Sequence, residues 1–148
     1  MENKTIRLII LMFCVIHLSG CVFITHKATI AEGINSAEQI VIVKNAKTKE
    51  GYLTAIKDWM VKNNHKYIVI DPVDCKLSDQ EWALEYAVTW QWDFTIFLND
   101  AEIKAFKNGQ EVGNARYNVG IKGGLNLSKW RSAEKTIFRM LDNLFGKE

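Results

Sequence analysis

The sequence predicts an α+β fold: a two-layer sandwich, in short form β-α-β-β-β-α, whose mixed sheet carries two helices on one face. Three observations carry this expectation. An apolar β-branched run, an amphipathic stretch of helical period and a second apolar run succeed one another within about thirty residues, the pattern of a βαβ unit. Alternate positions from Trp82 to Trp92 are apolar without a break, the period of two of a half-buried strand. Farther on, Asn108-Gly109 separates two more apolar segments, and Asn-Gly is the strongest short hairpin signal because both residues tolerate positive φ.

The elements follow in order. Gln39 to Lys44 holds Ile40-Val41-Ile42-Val43, a run suited to a strand buried on both faces. Lys49 to Asn63 reads as a helix, because Tyr52, Leu53, Ile56, Trp59 and Met60 recur at spacings of three and four while Lys57, Asp58 and Lys62 lie off that stripe. Asn63-Asn64 is its stop. Lys66 to Asp71, with Tyr67-Ile68-Val69-Ile70, is the second strand, and Asp71-Pro72-Val73-Asp74 then breaks the chain. The crossover between two such parallel strands is expected to be right-handed.

From Trp82 the even positions Trp82, Leu84, Tyr86, Val88, Trp90 and Trp92 form one face, and Glu85, Thr89, Gln91 and Asp93 share the other with Ala83 and Ala87. Ala101–Phe106 and Val112–Ile121 are two further strands. A three-residue loop, Asn108 to Gln110, would set Ile103 beside Ala115 and Glu102 beside Arg116. That register gathers Ala101, Ile103, Ala115, Tyr117, Val119 and Ile121 on one face, and is preferred for that reason. Gly120, Gly123 and Gly124 mark the exit. Ser128 can cap a last helix to about Phe145 with the stripe Trp130, Ala133, Ile137, Met140, Leu141 and Leu144, ended by Gly146. These elements make one domain over residues 39–146.

The chain opens with two positive charges, Lys4 and Arg7, then an apolar run from Leu8 to Leu18 broken only by His17. The run is about half the ~20 apolar residues that a membrane-spanning helix needs, and a charged start, short apolar middle and small residues at the end make a secretory signal over residues 1–20. Leu18-Ser19-Gly20-Cys21 resembles the lipobox of bacterial lipoproteins. The small residues let the backbone lie extended in a peptidase cleft, and the Cys21 thiol is the nucleophile that can take a diacylglyceryl group. The resemblance implies cleavage before Cys21, three acyl chains on it (palmitate-type modification), and membrane attachment through covalent lipid, because several chains anchor stably where one does not. Val22 rather than Asp follows the cysteine, which under the enteric sorting rule implies the outer membrane. A domain facing the periplasm is the accompanying expectation, not a consequence of that rule. An uncleaved transmembrane anchor is the alternative, disfavoured by the short run and by Cys21 directly behind it. Residues 21–38, rich in Thr, Ala, Gly, Asn and Ser, are expected to be a tether, with room for a short extended piece, that lifts the domain off the membrane.

Removing Lys4 and Arg7 from 19 basic residues, and Glu2 from 17 acidic ones, leaves a net charge near +1. Nothing in that balance points to nucleic acid. Cys14 leaves with the signal and Cys21 would be a thioether, so Cys75 stands alone and no disulfide forms within the mature chain. It reads as a small, partly buried residue; an intermolecular bridge or reactive thiol would need exposure and an electropositive setting. His26, in the tether, and His65, at a helix end, have no ligand-spaced partners and read as solvated side chains, so no metal and no cofactor are expected. There is no Gly-x-Ser-x-Gly. The segment Gly120-Ile121-Lys122-Gly123-Gly124 lacks both the Gly-Lys-Ser/Thr ending and the Rossmann spacing, and reads as a hinge. Glu81 with Glu85, and Asp93 with Asp100, show no acid–base pattern. An enzyme is not expected; one would require a cluster assembled by the fold from distant residues.

The remaining feature is Trp90-Gln91-Trp92-Asp93-Phe94. The favoured reading places the tryptophans in the core beneath the helices. The alternative leaves one or two rings exposed as an aromatic binding surface made of Trp90, Trp92, Asp93 and Phe94.

Trp92-Asp93-Phe94, Leu98, Ala101-Glu102-Ile103, Gly109, Val112-Gly113-Asn114-Ala115-Arg116-Tyr117, Lys122-Gly123-Gly124-Leu125 and Lys129-Trp130 together resemble the Sbal-type family of small Gram-negative lipoproteins. The resemblance spans about Trp82 to Leu144 in addition to the lipobox. It implies an envelope location and one domain, and brings no known activity and no catalytic residues. Members often carry a further cysteine on the first strand, where this chain has Val41, so no shared disulfide is implied. The expected function is therefore a non-enzymatic envelope module that binds or assembles with an envelope protein. A periplasmic domain binding a small molecule or glycan through its aromatic residues is the second expectation.

Overall fold

A computed structural model describes residues 24–93, 95–120 and 132–147, with only the backbone of Asp93 and Thr95. The fold is the expected α+β sandwich. Its strands are β1 (Ile24–Thr29), β2 (Ile40–Val43), β3 (Tyr67–Ile70), β4 (Trp82–Asp93), β5 (Thr95–Lys107) and β6 (Gln110–Val119), and its helices are α1 (Glu50–Lys62) and α2 (Ala133–Leu144). They form one mixed sheet in the order β1-β6-β5-β4-β2-β3. β2 runs parallel to both β3 and β4, and the other pairings are antiparallel. The short form β-α-β-β-β-α counts too few strands. All five extended segments named from the sequence form separate strands, and β1 adds a sixth.

β1 corrects the expectation of a tether over residues 21–38. Ile24 to Thr29 pair residue for residue with Val119 to Asn114 of β6, and Ala31 and Ile34 behind it are buried. The segment also closes the end of α2. The Ala31 amide donates to the Leu144 carbonyl at 2.9 Å and Asn35 Nδ2 donates to the Phe145 carbonyl at 2.8 Å, satisfying acceptors that a helix C-terminus leaves open. The folded domain therefore already includes Ile24–Thr29 rather than being confined to residues from 39 onward.

The main core lies between the sheet and the two helices. Even-numbered Trp82, Leu84 and Tyr86 meet Ile103, Ala115 and Tyr117 from the sheet and Ile56, Trp59, Met60, Ile137, Met140 and Leu144 from the helices. Both helices end on a residue of positive φ, Asn64 (φ 59) and Gly146 (φ 65). The following amides reach back five residues, His65 to the Met60 carbonyl and Lys147 to that of Asp142, which is the Schellman closure. β2 is buried on both faces as its composition predicts: Val41 and Val43 join Ala83 in a small second core, roofed by Cys75 and Leu77 from the short turns after β3.

The β5–β6 register is the expected one, Ile103 opposite Ala115 and Glu102 opposite Arg116, but it is reached differently. Lys107 pairs with Gln110 across a two-residue turn, Asn108 (φ 49) and Gly109 (φ 81), and the register then shifts between Ala105 and Phe106, leaving Val112 as the extra residue. Positive φ at both turn positions is the geometry that matches strand twist, and the bulge restores the register the core requires. Ser128, Trp130 and the glycine segment from Ile121 to Gly124 lie outside the described residues; α2 starts at Ala133, after Ser132.

Candidate functional site

Among the described residues, the β4–β5 hairpin outruns its neighbours. β2 pairs only with Ala83 and Leu84 of β4, and β6 meets β5 no farther than Asp100 opposite Asn118. The rungs Trp90–Leu98, Gln91–Phe97, Trp92–Ile96 and Asp93–Thr95 continue past that line, beyond a register shift at Thr89/Trp90. At ~3.3 Å per residue these four rungs extend about 13 Å.

The two tryptophans of this hairpin part company. Trp90 is half-buried against the core. Lys49 Nζ stands 5.2 Å from the centre of its ring, a distance suited to cation–π attraction. Trp92, two residues on, is 74 % exposed, and Ile96 directly across from it is 54 % exposed. The core reading therefore holds for Trp90 and is corrected for Trp92. The cause is tertiary: helix cover reaches Trp90 through Tyr52, Ala133 and Ile137, and the last apolar rung lies one step beyond it. Of the other residues singled out, Asp93 ends β4, while Phe94 and Cys21 lie outside the described residues.

Trp90 and Tyr52, together with Lys49, Gly51, Ala133, Glu134 and Ile137, line a cleft of about 270 Å³. Trp90 Nε1 and Tyr52 Oη are both buried without a hydrogen-bond partner. Burial, reinforced by neighbouring Tyr86, pushes the Tyr52 hydroxyl far above its ordinary range, so it stays protonated and acts as a donor. Sequence reasoning assigned Tyr52 only to the core stripe; its unpaired hydroxyl depends on which residues the fold brings near it.

The opposite face of the sheet carries polar cross-strand pairs. Lys104 meets Glu111 at 3.1 Å and Arg116 meets Asp100 at 3.0 Å, both solvent-screened and worth little individually. Beside them lies a cleft of about 480 Å³ whose lining includes Asn45, Lys47, Glu85, Glu102 and Lys104. Asn45 is fixed at its rim by donating from Nδ2 to the Tyr86 carbonyl at 2.8 Å. Among the described residues no group of three His, Cys, Asp or Glu side chains is placed to hold a metal. Asp100 is engaged by Arg116 rather than paired with a second carboxylate. Burial pushes the Cys75 thiol up, and Glu85 and Asp79 add to the effect, the reverse of the electropositive setting a reactive thiol requires.

Both histidines are more than solvated side chains. His26 belongs to β1 and tilts against Tyr117, with ring centres 5.0 Å apart. His65 stacks on Trp59 at 5.6 Å, and Lys147 Nζ lies 3.4 Å from its Nε2, where the ammonium donates to an unprotonated nitrogen. Burial first, and the Lys147 charge second, hold the His65 pKa below 6.5. The unfolded chain then takes up this proton more readily than the folded one. The associated stability is complete above about 6.5 and declines as pH falls from there toward the folded-state value. Urea midpoints measured across this range should fall with pH in the wild type, and less steeply in His65→Gln.

No family model matches the chain, and no curated protein does. Among solved structures, the fold is similar to the PelC dodecamer from Paraburkholderia phytofirmans, at 12% identity over 81% of this chain and 98% of that one, with a TM-score of 0.53. A single-substitution variant of the same dodecamer matches at 13% identity over 81% and 97% of the two chains, with a TM-score of 0.54. At such identities the likeness shows the fold alone.

Proposed function

We propose that this chain is an envelope lipoprotein, acylated on Cys21, whose single domain binds or assembles with another envelope component and carries out no catalysis. The observation that carries the proposal is the lipobox-like Leu18-Ser19-Gly20-Cys21 behind a short apolar run, with the first described strand three residues later at Ile24. No described helix is long and apolar enough to cross a membrane, and a lipid anchor requires none. Val22 after the cysteine supports outer-membrane placement under the enteric sorting rule, and the domain is proposed to face the periplasm. Assembly is favoured over catalysis by two features: the described titratable groups converge on no reaction centre, and the edge strand β3 exposes Ile68 and Val69. The similar fold of PelC, described as a dodecamer, supports testing self-assembly first.

The test is the intact mass of membrane-extracted protein, wild type and Cys21→Ser. The expected wild-type mass is that of residues 21–148 plus acyl groups, and Cys21→Ser is expected to lose both processing and acylation. An unprocessed mass in both would overturn the proposal.

A second reading, a periplasmic domain that binds a small molecule or glycan, is favoured by one observation: a single cleft lined by the aromatic side chains of Trp90 and Tyr52. A sugar or other flat apolar face would stack on the half-buried Trp90 ring. Saturable change of tryptophan fluorescence on titration with oligosaccharides, lost in Trp90→Phe, would support it, and an unchanged spectrum would remove it.

A further inference from the structure

We infer that the projecting end of the β4–β5 hairpin is a membrane-docking element: the exposed Trp92–Ile96 rung enters the interfacial layer of the same bilayer that holds the Cys21 acyl chains. The inference rests on the lipoprotein reading above and adds a second point of attachment to it.

Three features converge on one end of the sheet. The first is apolar exposure at a tip. Trp92 and Ile96 are paired across the hairpin and are 74 % and 54 % exposed, so their side chains are neighbours on one face. Elsewhere on the hairpin the same face is covered: Leu98 is 3 % exposed and Trp90 is half-buried. An exposed tryptophan at a projecting end has the amphipathic ring favoured at the membrane–water boundary.

The second is the exit of the chain. Ile24 pairs with Val119, one rung beyond the level at which Asn118 faces Asp100 and Asp100 faces Thr89. β1 thus starts at the base of the projecting hairpin. Only Val22 and Phe23 separate Ile24 from Cys21, so the two Cα atoms cannot be more than about 11 Å apart. An anchor on so short a leash keeps this end of the sheet close to the bilayer, within reach of the hairpin. With a long tether, residue exposure at the tip would carry no such consequence.

The third is charge. A cleft at the same end is lined by Ile24, Lys135 and Arg139, with Ser132 and Thr136, and Lys49 sits over Trp90. Glu134 lines the Trp90 cleft with Lys49 and Asp93 follows Trp92, so acids and cations are mixed at this end. Lys135 and Arg139 are the cations placed to meet the phosphate layer when the Trp92–Ile96 rung reaches the acyl boundary. Two attachments, a covalent lipid and an aromatic hairpin, fix the tilt of the domain where a lipid alone leaves it free to swivel.

The experiment uses the full chain, extracted from membranes and reconstituted into phosphatidylethanolamine–phosphatidylglycerol vesicles whose acyl chains carry bromine near the headgroup. Bromine quenches only indoles at that depth. Wild-type fluorescence is expected to be quenched relative to unbrominated vesicles, and Trp92→Phe to lose most of that quenching while keeping its circular dichroism. Ile96→Ser is expected to reduce the quenching with Trp92 still present. Acylated, vesicle-bound wild type that is not quenched overturns the docking inference and leaves the lipoprotein reading intact. A Trp92 emission that is blue-shifted but unquenched places a second copy or another protein over the tip, and also overturns it. A mass spectrum of the same preparation without acyl groups overturns both readings.

Discussion

Replacing Trp59 with alanine is expected to lower the unfolding free energy by about 4 kcal/mol, a large share of the ~5–15 kcal/mol by which such a domain is stable. Trp59 is 1 % exposed. Its ring packs against Phe145 with centres 4.6 Å apart and stacks on His65 at 5.6 Å. Its Nε1 donates to Asp142 Oδ1 at 2.9 Å, and Lys147 Nζ lies 4.9 Å from the ring centre. One side chain of α1 thus joins the end of α2, the turn after α1 and the C-terminal residues. Truncation removes the apolar burial, leaves a cavity, and strips Asp142 of its donor. Trp59→Phe separates these contributions: it keeps most of the ring and loses the hydrogen bond, so the expected cost falls to about 1–2 kcal/mol. Urea unfolding followed by far-ultraviolet circular dichroism measures both. A loss below about 1 kcal/mol for the alanine variant would show that the contacts around Trp59 do not hold the helices together.

What was legible in the sequence is what the core side dictates by itself. The even face of β4, the stripe of α1, the two-sided burial of β2 and the β5–β6 pairing all follow from apolar periodicity, because burying those residues permits one arrangement. β1 was not legible for a physical reason. It is an edge strand whose outward positions are Thr25, Lys27 and Thr29 and whose inward ones are Ile24, His26 and Ala28, so it offers scarcely any apolar alternation. Its pairing is set by β6, far along the chain, and by the open carbonyls at the end of α2. The hairpin turn shows a related limit. The register was legible because it sorts side chains by face, whereas the choice between a three-residue loop and a two-residue turn plus bulge leaves that sorting unchanged.

The candidate site was legible in part. Trp90 and Trp92 stand out in the sequence, but which of them is covered depends on where two helices stop, a tertiary quantity that no local pattern encodes. Tyr52 and Lys49 were visible only as helix residues, and their convergence on Trp90 required the packed structure. The proposed lipidation is the reverse case. It rests on the lipobox-like Leu18-Ser19-Gly20-Cys21 alone, and the fold contributes only the short distance from these residues to β1.

Gly113→Ala is expected to cost about 3 kcal/mol, from the addition of a single methyl group. A Cβ at Gly113 would lie 2.8 Å from both the Cβ and the backbone N of Ala31, and 2.9 Å from its Cα. Backbone atoms cannot rotate away, so either β6 or the segment after β1 must move. Movement of that segment strains the Ala31–Leu144 hydrogen bond and the Asn35 cap on Phe145, exposing helix-end carbonyls that have no other partner in the described structure. The damage should therefore concentrate at residues 24–37 and the last turn of α2, where amide hydrogen exchange should accelerate before the rest of the sheet opens. Gly51→Ala supplies the control with the opposite sign. Gly51 sits in α1 with nothing within 4 Å of an added Cβ, so the same substitution should stabilise the domain by up to ~1 kcal/mol through helix propensity. If Gly113→Ala proved as benign as Gly51→Ala, the segment after β1 would not be docked on the sheet.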